Sequence, residues 1–165
     1  MARGDFDRLV TQGLIDRLID REPSLEQDPA ITRAQSIRNL RAEVRRDLEF
    51  LLNTRRNPEA AGPELKQLSQ SVFNYGLPDF THRSMQSNVD RDQLQEEIER
   101  VIALFEPRLK QVRVKLIEEE GQRLRQALRF SIEALLMMDP APERISFDTV
   151  LESSGQYEIR GDRSA

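Results

Sequence analysis

The chain has no cysteine and no tryptophan, one histidine and two tyrosines in 165 residues. Without thiols there can be no disulfide, no thiolate nucleophile and no cysteine-containing metal site. His82 lies in the polar run THRSMQSN, where it reads as a solvated loop residue rather than a ligand. There is no excess of basic charge either: 25 Lys and Arg against 29 Asp and Glu give a net charge of −4, and the two signs are interspersed. That pattern lacks the basic field nucleic acids require, so DNA and RNA are not expected partners. No apolar run approaches the ~20 residues of a membrane span, and the opening MARGDFDRLV has no signal-peptide core, so a cytoplasmic location is expected. Charged residues make up 33% and hydrophobic ones 38%, which suits one soluble domain with a modest core.

Apolar residues recur at threes and fours from Phe6 through Leu9, Val10, Leu14 and Leu18. This fits a short amphipathic helix interrupted by Gly13, with a partly disordered arm as the alternative. Pro23 and Pro29 bracket an acidic linker, so residues 1–29 are read as a tethered arm before a domain over 30–160 and a disordered tail at 161–165. A strong helix follows, begun by Asp28 and Pro29 or by Thr32. Ile37, Leu40, Val44, Leu48, Leu51 and Leu52 form one apolar stripe, and charged residues including Arg46 and Asp47 surround it. About 20 helical residues span roughly 30 Å, so this is expected to be the main core helix.

Asn57, Pro58, Gly62 and Pro63 mark a loop; Leu65 and Leu68 supply a turn of helix, and a short strand is expected over 72–75. Tyr75, Gly76, Leu77, Pro78 and Asp79 (YGLPD) then combine an aromatic, a glycine suited to positive φ and a stiffening proline, which reads as a tight turn. After a polar loop, Asp90 or Asp92 can cap a helix carrying Leu94, Ile98, Val101, Ile102 and Phe105 on its apolar face.

That helix must end at Pro107, which lacks an N–H and disfavours helical geometry in the residue before it. In an extended segment Glu106 and Arg108 would project from one face. A surface ion pair there is worth roughly 0 to 1 kcal/mol. A pair buried against a partner would matter far more, because removing one member strands the other at a cost of about 3 to 5 kcal/mol. The tripeptide itself leaves both readings open. Beyond it, Val112, Val114 and Leu116 alternate with basic residues and turn near Gly121, and even-numbered apolar residues from Leu124 to Leu136 form a second strand, although Leu124, Leu128, Ile132 and Leu135 also fit a helix. Ile145, Phe147, Thr149 and Leu151 make a third strand, and Tyr157 and Ile159 a short fourth. The expected fold class is α+β, with helices packed on a mostly antiparallel sheet of about four strands formed by the C-terminal half.

The stretches RRDLEFLLNTRR, SVFNYGLPDF, FEPRLKQVRV, RFSIEALL and ISFDTVLE, in this order, resemble TssE, the type VI secretion baseplate family related to the sheath-initiating wedge protein of contractile-tailed phages. The resemblance runs from about Leu14 to Ile159. It implies a cytoplasmic, phage-tail-like structural protein that assembles with the wedge proteins TssF, TssG and TssK and starts polymerisation of the TssB–TssC sheath, with the spike hub a further candidate partner. The family's Glu-Pro-Arg signature, implicated in assembly contacts, falls on Glu106, Pro107 and Arg108. Arg46 and Asp47 lie in the first matching stretch and the YGLPD residues in the second, which makes them further candidate partner-binding residues. No cofactor, metal or catalytic residue is implied.

A lysozyme-like hydrolase is the competing class. Glycoside cleavage needs two placed carboxylates, one of them held protonated. Arg108 beside Glu106 favours the charged form, the wrong direction for a general acid, and only Tyr75 and Tyr157 are offered for stacking on a sugar. A regulatory adaptor of the same fold is the third possibility. An open sheet edge would also suit strand addition, unless Glu152 and Arg160 act as protective edge charges.

Overall fold

The computed structural model describes residues 10–19, 23–24, 31–59, 64–80, 87–117, 128–152 and 155–164, without the side chains of 162–164. Helices α1 (Leu14–Leu18), α2 (Arg33–Asn53), α3 (Lys66–Ser69) and α4 (Asn88–Phe105) precede strands β1 (Leu109–Ile117), β2 (Leu128–Leu136), β3 (Glu143–Leu151) and β4 (Tyr157–Ser164). The four strands form one antiparallel meander in the order β1-β2-β3-β4, so the fold is α+β with the sheet in the C-terminal half.

The two long helices begin at hydroxyl caps. Thr32 accepts from the Gln35 N–H at 3.3 Å, and Ser87, rather than Asp90 or Asp92, accepts from the Asp90 N–H at 3.4 Å. Asp90 falls instead in the first turn, where the exposed N–H groups favour a negative charge. Leu40, Val44, Leu48, Leu51 and Leu52 of α2 and Leu94, Ile98, Val101 and Ile102 of α4 are buried. They pack with Phe130, Ile132, Leu136, Ile145, Phe147 and Ile159 from the strands into one core. The period-two burial of 130, 132, 134 and 136 decides between the two readings of that run in favour of a strand. Leu124 and Gly121 lie outside the described residues.

Two segments differ from expectation. The run 72–75 is a 3₁₀ turn over Val72–Asn74, because the Ser71 hydroxyl accepts from the Phe73 N–H and starts a helical turn instead of a strand. At the other end β4 continues to Ser164, where pairing with Ile145, Ser146 and Phe147 of β3 supplies the backbone hydrogen bonds that the apolar pattern does not signal.

Gly76 does take positive φ, at 96°. The close approach explains why. Its neighbour Leu77 is buried and bridges to Arg55, donating its N–H to Thr54 O at 2.9 Å and accepting from the Arg56 N–H at 2.8 Å. A Cβ on Gly76 would stand 2.2 Å from the Thr54 carbonyl oxygen. The tight turn is therefore stitched to the end of α2.

Two substitutions test this frame by denaturant unfolding. Leu48→Ala should cost about 2 to 5 kcal/mol, the range for truncating a buried leucine; an unchanged midpoint would remove α2 from the core. Gly76→Val should cost well over the ~1 kcal/mol of an ordinary glycine replacement, since both φ and the Thr54 carbonyl oppose it. Stability equal to wild type would show that the segment relaxes away from α2.

Candidate functional site

The junction between α4 and β1 is a turn rather than an extended segment. Pro107 presets the φ of the second turn position, and the turn closes when Leu109 N–H donates to Glu106 O at 3.1 Å. Glu106 and Arg108 are nevertheless paired. Glu106 Oε1 accepts from Arg108 Nε at 2.7 Å and from the Arg108 backbone N–H at 3.2 Å, and its Oε2 accepts from Nη2 at 2.5 Å. This is a two-pronged guanidinium–carboxylate contact within one turn.

It is also buried. Glu106 is only 5% exposed, so its charge depends on the arginine for compensation. Arg108 then reaches α2, where Nη2 donates to Asp47 Oδ2 at 2.6 Å and Nη1 lies 3.9 Å from Glu43 Oε2. Asp47 turns its other oxygen to Arg46, at 3.1 Å from Nε and 2.9 Å from Nη2. Arg46 in turn holds both oxygens of Asp16 at 2.8 Å. The result is a line of alternating charge, Glu106–Arg108–Asp47–Arg46–Asp16, that ties the α4–β1 turn to α2 and α2 to the arm. The hydrogen bonds that Arg108 donates to Glu106 chiefly, and to Asp47, raise its pKa above the ordinary value against the opposing effect of burial. Those that Arg46 donates to Asp16 and then to Asp47 do the same for Arg46.

An aromatic group adjoins this line. Tyr75 meets Phe105 edge-on at 5.2 Å between centroids and Phe50 at 6.2 Å. Burial, with the negative charges of Asp47 and Glu106, pushes the Tyr75 phenol up from its usual range. On its outer side lies an open, mostly apolar cavity of about 650 Å³ lined by Phe50, Thr54, Arg55, Asn57, Val72, Phe73 and Tyr75.

Of the candidate residues, Glu106, Arg108, Asp47 and Arg46 thus share one network, and Tyr75 touches its edge. Gly76 and Leu77 are buried against α2, whereas Pro107 is exposed and Asp79 pairs with Arg55 at 3.1 Å on the surface. Pro78 is half-buried. Asp16, Glu43 and Ser36 were not legible as members. Asp16 and Glu43 are buried polar residues, and Glu43 Oε2 accepts the Gly13 N–H at 2.9 Å. Ser36 both donates to Val10 O and accepts from its N–H. The available signal was their spacing: positions 36, 43 and 47 fall on one side of α2, alongside the apolar stripe.

The arrangement can bind and brace, but it offers little chemistry. Both Glu106 oxygens are occupied by donors from Arg108. Among the described residues, no cluster of His, Asp and Glu has the composition to hold a metal.

The fold is a small helix-and-meander unit with a salt-bridged junction beside an open aromatic cavity. Residues 38–141 match the family model for baseplate wedge protein gp25, and the chain belongs to that family. It is a baseplate structural family, consistent with interaction with other baseplate proteins. No curated protein and no solved structure matches the chain.

The network predicts a stability cost that an exposed pair would not show. Arg108→Ala should destabilise the isolated protein by about 3 kcal/mol in urea unfolding, because Glu106 is left buried without its counter-charge. Glu106→Gln, which removes the charge in need of compensation, should cost less. Equal and negligible effects of the two would mean the pair behaves as a solvated one.

Proposed function

We propose that this chain is a structural component of a type VI secretion contractile-tail baseplate, assembling in the cytoplasm with TssF, TssG and TssK and initiating polymerisation of the TssB–TssC sheath. Membership of the baseplate wedge family supports the first half of this reading. The observation that carries the second is the asymmetry of the sheet edges.

The outer edge of β1 is capped at one position. Glu99 of α4 accepts the outward Val114 N–H at 2.7 Å, and a register shift between Lys110 and Arg113, with Gln111 at φ 53°, bends the strand before it. Such blocks keep foreign strands off an edge. On β4 only the first residue is covered: the Asn53 side chain accepts the Tyr157 N–H at 2.9 Å and donates to its carbonyl at 2.8 Å. Beyond Tyr157, no hydrogen bond among the described residues takes up that outer backbone, although β4 also bends once, at a register shift beside Gly161 with φ 72°. Glu158 and Arg160 pair with each other at 2.6 Å on the exposed face and leave the backbone edge accessible. A sheath strand adding here would gain main-chain hydrogen bonds without disturbing the core.

In this reading Glu106, Pro107 and Arg108, with Asp47 and Arg46, brace the surface that wedge subunits meet, and Tyr75 to Asp79 form its aromatic margin. The non-catalytic assignment rests on the occupied Glu106 carboxylate. No helix among the described residues is long and apolar enough to cross a membrane.

The test is nucleation of purified TssB–TssC by the full chain and by a chain ending at Arg160. Wild type should shorten the lag of sheath assembly, and the shortened chain, folded by circular dichroism, should lose at least tenfold of that effect while still binding wedge subunits. Equal nucleation by both would overturn strand addition at β4. Peptidoglycan cleavage lost in Glu106→Gln would instead make the chain an enzyme.

A further inference from the structure

Three polar side chains along one side of α2 are met by the arm that lies across them, and two of them, Ser36 and Glu43, are buried at 0% and 4% exposure. The Ser36 hydroxyl engages both main-chain groups of Val10, donating to its carbonyl at 3.1 Å and accepting from its N–H at 3.0 Å. Glu43 Oε2 accepts the Gly13 N–H at 2.9 Å, and Arg46 holds the Asp16 carboxylate through two bonds of 2.8 Å. Val10 also packs against the core. Beyond that apolar contact, α2 reads main chain at two points of the arm and a carboxylate three residues further on. Any polypeptide has the first, and one well-placed acid supplies the second. The rest of the arm contributes little: Leu14, Ile15, Leu18 and Ile19 are exposed, and so short a helix does not persist unsupported. Its backbone passes close to the salt-bridged junction, since a Cβ on Gly13 would stand 3.8 Å from Arg108 Nη1.

We infer that Ser36, Glu43 and Arg46 form a recognition site for a polypeptide segment that brings a backbone N–H to Glu43 and a carboxylate to Arg46. The arm is its occupant in the free chain and is displaced when a wedge protein supplies such a segment. This rests on the function proposed above, in which Arg46 and Asp47 belong to the surface that wedge subunits meet. A second copy of the chain is a poor rival for the site. Residues 20–32 reach over ~40 Å when extended, whereas α2 rises only ~20 Å between Arg33 and Arg46, so the chain's own arm reaches the site without strain. The tether gives that arm an effective concentration on the order of millimolar. Another copy brings an identical arm without the tether. A wedge protein can add contacts at the adjoining junction, where the Arg108 side chain is 27% exposed, and those contacts offset the advantage of the tether.

The test measures affinity of the full chain for a purified TssF–TssG complex by interferometry, with amide hydrogen exchange of residues 10–19 as the direct readout of the arm. Asp16→Asn loosens the arm and leaves the site intact, so it should tighten wedge binding by about fivefold or more. Adding Arg46→Gln to that variant removes the anchor for the incoming carboxylate and should weaken binding by about tenfold or more. The Asp16→Asn background is needed because Arg46→Gln alone releases the arm as well. In the wild-type complex, residues 10–19 should exchange faster than in the free chain, the reverse of what a buried contact produces. Circular dichroism is the folding control for both variants. Unchanged or weaker binding by Asp16→Asn overturns the inference, because the arm is then a fixed strap or part of the docking surface. So does exchange of residues 10–19 that is unchanged or slower in the complex, or the absence of any effect from the added Arg46→Gln. A wild-type dimer in sedimentation that Asp16→Asn abolishes overturns it too, since the occupant is then a second copy's arm. Failure of the wild-type chain to bind TssF–TssG overturns the functional proposal and this inference with it, whereas contrary variants with wild-type binding intact overturn the inference alone.

Discussion

A carboxylate that is almost fully buried has to be compensated, and Glu106 imposes that requirement on everything near it. Pro107 sets the turn that returns Arg108 to it, and the arginine then has donors to spare. Asp47 takes one of them, Arg46 answers Asp47, and Asp16 answers Arg46. Each charge is placed by the need of the one before it. Elements far apart in sequence are thereby held in register by a polar line that runs beside the hydrophobic core rather than through it. Such a line adds less to total stability than the same volume of packed apolar side chains would, but it specifies position, because arginine and carboxylate pair in few geometries.

Much of this frame was legible in the residues. The stripe from Leu40 to Leu52 and the period-two run through Phe130, Ile132 and Leu136 indicate a core helix and a core strand because burial repeats with the geometry of the element. The break at Pro107 and the positive φ at Gly76 were likewise local consequences of covalent structure. What could not be read was tertiary. The pairing of Arg46 with Asp16 crosses 30 residues, and no periodicity reports which of several exposed-looking charges will find one another. The extension of β4 past Arg160 is set by hydrogen bonds to β3, which any backbone can make, so side-chain pattern gave no sign of it.

The arm illustrates the same limit. Its apolar spacing is that of an amphipathic helix, and the helix is present, yet the face turned to the protein is the polar one. Periodicity identifies that two faces exist; it does not say which is inward. The choice follows from Glu43 and Asp47, two acids placed on α2 where an arm with a backbone N–H at Gly13 and an arginine bridge to Asp16 satisfies them better than leucines could. Polar attachment of this kind weakens with salt far more than apolar packing does.

The carboxylate of Glu99 on β1 has a consequence of its own. A four-stranded sheet offers two places where a neighbour's strand could join; here Glu99 takes one outward N–H of β1, and Asn53 takes the first residue of β4. A sheet open to a neighbour along one edge alone would have a valence of one: it could stand at the head of a row but not be inserted into the middle of one, so a row begun on it would have a fixed polarity and a first member unlike the rest.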